Sequence, residues 1–64
     1  MEIYVNGEKR VCDEHTTIAT IVDSLGISIM AVALNMVVVK RDVWSETELK
    51  DEDKLELLSF VGGG

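Results

Sequence analysis

Only one stretch of this 64-residue chain repeats its apolar residues at helical spacing: Ile18, Ile21, Val22 and Leu25 form a single stripe. The other periodic segments alternate, as strands do. One helix covers one face of one sheet, which restricts the chain to an α+β two-layer domain. A helix of about nine residues is too short to be stable alone, so it must pack on that sheet. Thr17 is the candidate N-cap, and Gly26 sits where a left-handed C-cap ends the helix.

The order of strands follows from alternation and turn chemistry. In Met1 to Val5, Ile3 and Val5 share one face and Glu2 and Tyr4 the other. Asn6-Gly7 is a strong hairpin signal because both residues tolerate positive φ. Glu8 to Cys12 returns as a second strand, with Val11 as its expected inward residue. Ile29 to Leu34 is a third strand, with Val32 and Leu34 opposite Ala31 and Ala33. Asn35-Met36 turns the chain into a short strand at Val37 to Val39. Arg41 to Leu49 is expected to be a turn or 3₁₀ segment and a loop, anchored by Trp44 and Leu49. Asp51-Glu52-Asp53 reads as a solvated turn. Leu55 to Val61 is the last strand, with Leu55 and Leu57 inward and Glu56, Leu58 and Phe60 outward. With the helix across them, the first and last strands are central and parallel.

A chain this short is one domain, near the lower limit for folding alone. Its 47% apolar content supplies one core. It does not supply walls for a catalytic cleft of several hundred Å³. Net charge of −6 argues against nucleic acid and against an anionic membrane, and suits basic protein partners. Cys12 is the sole cysteine, so no internal disulfide braces the fold. MEIYVNGEKR has no apolar core of a signal peptide, and the expected location is cytoplasmic.

Residues 1–61 are expected to form the domain and 62–64 a flexible tail. Gly62-Gly63-Gly64 cannot pack, and glycines lose the most backbone entropy on ordering. Lacking Cβ atoms, Gly62 and Gly63 can thread a narrow channel and present the Gly64 carboxylate to another protein's active site. Leu58 and Phe60 lie on the sheet face that no element remains to cover, which marks a docking patch beside the tail; Val61 next to them is expected to join the docking contact.

Ala33-Leu34-Asn35, Val38-Val39, Arg41, Trp44, Thr47-x-Leu49-x-Asp51-x-Asp53, Glu56 and Phe60-Val61-Gly62-Gly63-Gly64 together resemble the ThiS family of thiamine-pathway sulfur carriers. The resemblance covers the whole chain and is most specific in its second half. It implies the ubiquitin-like β-grasp fold, a mixed four- to five-stranded sheet with one amphipathic helix on one face. It also implies a protein cosubstrate rather than an enzyme. A ThiF-like adenylyltransferase would use ATP to adenylate Gly64; the carrier itself binds no cofactor. A cysteine desulfurase or sulfurtransferase would supply sulfur as a persulfide, giving a thiocarboxylate. A ThiG-like thiazole synthase would then consume it. Three positions depart from the family pattern: Glu52 where Gly is usual between two Asp, Lys40 where Pro is common, and Met36 where a small or polar residue is frequent. Glu52 either avoids positive φ or strains its turn.

Other residues read as structural. Cys12 is a small hydrophobe rather than a sulfur relay. His15 lacks partners at metal spacing, and Asp51, Glu52 and Asp53 lack the spacing and glycine of a Ca²⁺ loop. No catalytic or metal residue is expected. Carriers for molybdopterin or another thiolation pathway, a carrier conjugated to lysines, and a passive ubiquitin-like interaction module are the competing functions.

Overall fold

The hairpin at the start of the chain fixes the frame on which the rest assembles. A computed structural model describes residues 1–59, so Phe60, Val61, Gly62, Gly63 and Gly64 lie outside the described residues. Strands β1 (Glu2–Val5) and β2 (Glu8–Val11) pair antiparallel through Asn6-Gly7, with φ of 50° and 85°. Positive φ at both turn residues matches the right-handed twist of the flanking strands.

Helix α1 (Ile18–Leu25) follows. Thr17 Oγ1 accepts the Thr20 N–H at 3.2 Å, satisfying one free donor of the first turn. Gly26 closes the helix at φ 66°, its N–H donating to the Asp23 carbonyl. Both caps are the expected ones. Strand β3 (Ile29–Leu34) pairs with β4 (Val37–Val39) through Asn35-Met36, a 3₁₀ segment spans Arg41–Glu46, and β5 (Lys54–Ser59) closes the sheet.

The strand order is β2-β1-β5-β3-β4. β5 lies in the middle, parallel to β1 and antiparallel to β3. The mixed five-stranded sheet carries α1 on one face. Ile3 and Val5 of β1, Ile18 and Ile21 of α1, Val32 of β3, and Leu55 and Leu57 of β5 form one core, joined by Trp44 and Leu49. Each such aliphatic side chain contributes roughly 1.5–3 kcal/mol by leaving water. The segment from the 3₁₀ turn to Leu49 is tied to the helix start. Ile18 N–H donates to the Thr47 carbonyl and Leu49 N–H to the Thr16 carbonyl, at 3.1 and 2.8 Å.

Two expectations are corrected. Val11 points away from the core and is 78% exposed. The two-residue turn sets Val5 opposite Glu8, so Arg10 lies opposite Ile3 and Val11 opposite Glu2. Directly opposed residues share a face, which sends Val11 outward with Glu2. The Asp51–Asp53 turn is not wholly solvated, since Asp53 is only 9% exposed. Its carboxylate accepts from Asn35 Nδ2 at 3.0 Å and from the Lys50 N–H at 2.7 Å, so burial leaves it satisfied. Glu52 adopts φ 69°, so its turn carries the strain that a glycine would relieve.

Candidate functional site

β5 is the strand that leads to Phe60 and the glycines, and its outward face is open. Leu58 is 59% exposed there. Its partner across the ladder is Ala31, and Glu56 faces Ala33. β4 adds Val38, opposite Ala33. Two alanines between Val38 and Leu58 leave a shallow apolar groove along the sheet, bordered by Glu56. The small side chains of β3 make the groove; larger neighbours stand on either side.

A β-bulge widens this patch. The β3–β5 register shifts between Ile29 and Ala31, so β3 has one residue more than β5 opposes. Ile29 stays buried, while Met30 and Ala31 both turn away from the helix, with Met30 more than half exposed. The open face near the end of β5 thus presents Leu58, Met30 and Val38 together. Of these, only Leu58 was expected. Val38 was legible: a two-residue turn at Asn35-Met36 places it beside Ala33. Met30 was not, because nothing local announces a bulge.

The other singled-out residues have structural partners. Trp44 is buried, and its Nε1 donates to the Val39 carbonyl at 2.8 Å. Arg41 is exposed, yet its guanidinium stacks 4.7 Å from the Trp44 ring and Nη2 donates to the Ile29 carbonyl at 2.6 Å. His15 Nδ1 lies 2.9 Å from Glu48 Oε1, with both side chains exposed. Cys12 is half-buried against the core and is a free thiol. Among the described residues, no group of three or more His, Cys, Asp or Glu is placed to hold a metal ion. No helix among them is long and apolar enough to cross a membrane. The expected roles of Phe60, Val61, Gly62, Gly63 and Gly64 fall outside the described residues.

Fold, strand order and the uncovered face define a ubiquitin-like β-grasp domain. The family model described as the ThiS family matches residues 3–64, and the chain belongs to that family. The thiamine biosynthesis protein ThiS of Geobacter metallireducens, solved by crystallography, superimposes with a TM-score of 0.79 at 31% identity, over 100% of both chains. The chain is 32% identical over its full length to a thiazole synthase of Paramagnetospirillum magneticum, of which it covers 20%. It is also 32% identical over its full length to the protein ycf40 of Pyropia yezoensis, covering 93% of that protein. The chain therefore spans about a fifth of the thiazole synthases it matches and nearly the whole of the smaller relatives.

Proposed function

We propose that this chain is a sulfur carrier of thiamine biosynthesis whose Gly64 carboxylate is activated, converted to a thiocarboxylate and used to build a thiazole ring. The observation that carries this reading is a ThiS-family match that runs through all three final glycines, residues 3–64.

The chemistry explains why such a domain needs no active site of its own. A carboxylate is a poor acyl donor because its leaving group would be oxide. Attack of a Gly64 carboxylate oxygen on the α-phosphorus of ATP, on a ThiF-like adenylyltransferase, expels pyrophosphate and leaves an acyl adenylate. A persulfide from a cysteine desulfurase or sulfurtransferase attacks the acyl carbon and expels AMP. A second thiol then attacks the donor sulfur of that acyl disulfide, forming a donor disulfide and releasing the thiocarboxylate. This soft anion is nucleophilic near neutral pH, as thiolates are beside alcohols. The carrier is a cosubstrate throughout and contributes no general acid or base.

The thiazole synthase relatives support the choice of consumer. A segment like this entire chain occurs within those synthases, occupying about a fifth of their length. Linkage in one polypeptide holds a carrier near its consumer at high effective concentration. A separate carrier must instead dock, and the open face with Leu58, Met30 and Val38 supplies apolar surface for that. Its net charge of −6 suits basic surfaces on the adenylyltransferase and on a ThiG-like synthase.

Intact mass spectrometry tests the reading. The chain is incubated with ATP, a sulfide donor and a ThiF-like adenylyltransferase. Its mass should rise by the difference between one sulfur and one oxygen, and deletion of Gly64 should abolish the rise. An unchanged mass overturns the carrier reading. Adducts on lysines of other proteins would instead support a conjugated modifier.

A further inference from the structure

β1 and β5 are parallel neighbours over only Tyr4↔Lys54 and Val5↔Leu55. Tyr4 N–H donates to the Asp53 carbonyl at 2.9 Å and Asn6 N–H to the Leu55 carbonyl at 2.8 Å. At Asn6 the chain turns away into the hairpin. The next main-chain groups on this flank of β5 belong to Leu57, and β1 has no peptide left to offer them.

The Asn6 side chain takes that place. Leu57 N–H donates to Asn6 Oδ1 at 2.7 Å, and Asn6 Nδ2 donates to the Leu57 carbonyl at 3.3 Å. A carboxamide carries one acceptor and N–H donors in a single plane, as a peptide unit does. Asn6 therefore extends the β1–β5 ladder by one step with a side chain in place of backbone. By strand alternation, Ser59 is the next residue whose main chain faces this flank. Among the described residues, no hydrogen bond from β1 or its turn reaches Ser59. The other flank stays paired, Leu58 with Ala31 and Ser59 with Ile29. Leu57 is thus the last described point at which both flanks of β5 are held.

We propose that Asn6 is a positioning residue for Gly64. Its two-bond clasp on Leu57 fixes the direction in which the C-terminal segment leaves the sheet. The hairpin turn at Asn6 leaves β1 no further peptide to pair, so the clasp is the last hold of β1 on β5 among the described residues. Asn6 acts through Leu57 and touches neither ATP nor the reacting carboxylate. The inference rests on the carrier reading above. Direction matters because errors at the base grow along the chain. If the residues after Leu57 are extended in the bound state, they span about 23 Å, and a turn of about 15° at Leu57 moves the far end by roughly 6 Å. Reaction at an acyl carbon depends on much smaller displacements.

Asn6→Gly separates the clasp from the turn, since glycine keeps the positive φ and removes only the carboxamide. In the full chain, the variant should fold with the same sheet. The Leu57 amide should exchange faster by about tenfold or more while Leu55 is unchanged. The residual dipolar coupling of the Ser59 N–H should shift. In ATP–pyrophosphate exchange with a ThiF-like adenylyltransferase, kcat should fall about tenfold with KM within about twofold, because the docking face is intact. Asn6→Asp retains the acceptor for the Leu57 N–H and should recover part of the loss. An unchanged Ser59 coupling, or wild-type kcat in Asn6→Gly, overturns the proposal. If the wild-type chain is never adenylated yet Asn6→Gly shifts Ser59, the carrier reading falls while the clasp's control of the exit direction is supported.

Discussion

Asn35 Nδ2 donates to Asp53 Oδ1 at 3.0 Å, joining the β3–β4 turn to the turn before β5. Asn35 also reads the start of β5 directly: its N–H donates to the Lys54 carbonyl at 2.8 Å, and its Oδ1 accepts the Lys54 N–H at 2.9 Å. The second carboxylate oxygen of Asp53 accepts from the Lys50 N–H. Two polar residues 18 positions apart therefore set where the central strand begins. Asp53→Ala should remove the acceptor of the Asn35 amide and the Lys50 N–H, two part-buried hydrogen bonds to a charged group. The expected loss is roughly 2–4 kcal/mol. In a domain of this size that lowers Tm by roughly 15 to 30 °C. Asp53→Asn retains one acceptor and should lose about half as much. Thermal unfolding by circular dichroism reads both, and a neutral Asp53→Ala would show the network to be dispensable.

The turn on the other side of Asp53 is strained. Glu52 sits at φ 69° and Met36, in the turn after β3, at φ 72° with 92% of its surface exposed. A left-handed conformation costs a residue with a Cβ about 1–2 kcal/mol. Glycine avoids that cost but loses about 0.5–1 kcal/mol in unfolded-state entropy. Glu52→Gly and Met36→Gly should each stabilise by about 0.5 kcal/mol. Urea denaturation at unchanged m-value measures this. A loss of stability in Glu52→Gly would mean that its side chain, not its backbone, matters in the turn.

Trp44 closes the core from the segment between β4 and β5, and its indole N–H holds the end of β4 at Val39. Trp44→Phe keeps an aromatic ring, removes this bond and shrinks the side chain. It should cost roughly 2–3 kcal/mol. Arg41→Lys should cost about 1 kcal/mol, because an ammonium keeps the charge but loses the planar fork that both stacks on Trp44 and reaches the Ile29 carbonyl. Chemical denaturation of the two variants, compared at the same salt, checks the ranking.

Local features were the legible ones. Thr17, Gly26 and Asn6-Gly7 act through the few residues beside them, and each sits where its side chain or lack of one predicts. Alternation along Leu55 to Leu58 placed two residues in the core and exposed Leu58. Apolarity alone points Val11 inward, but the parity of a two-residue turn, which sets Val5 opposite Glu8, gives it the outward face. The bulge at Met30 and the burial of Asp53 were not legible, because each depends on a strand or turn distant in sequence. The same holds for the clasp, which joins Asn6 to Leu57 across 51 positions.

Where partners hold the sheet can be separated from the fact that the sheet has an apolar open face. Val11 and Leu58 both point away from the helix and are both largely exposed. They lie at opposite ends: Val11 opposes Glu2 at the start of β1, whereas Leu58 lies past the end of the β1–β5 pairing. At about 3.3 Å per residue along the strands and 4.8 Å between them, they are roughly 20 Å apart. Leu58→Glu and Val11→Glu each add one negative charge to the same face, so long-range electrostatics change alike in both. If docking is confined to the patch of Leu58, Met30 and Val38, Leu58→Glu should weaken binding to a ThiF-like adenylyltransferase by at least about tenfold, as burial of an unpaired charge at an interface core does. Val11→Glu should change it by less than about threefold, the scale of a rim charge. Titration calorimetry at physiological salt decides between them. Equal losses would extend the contact across the whole sheet, and a neutral Leu58→Glu would move the docking site off this face.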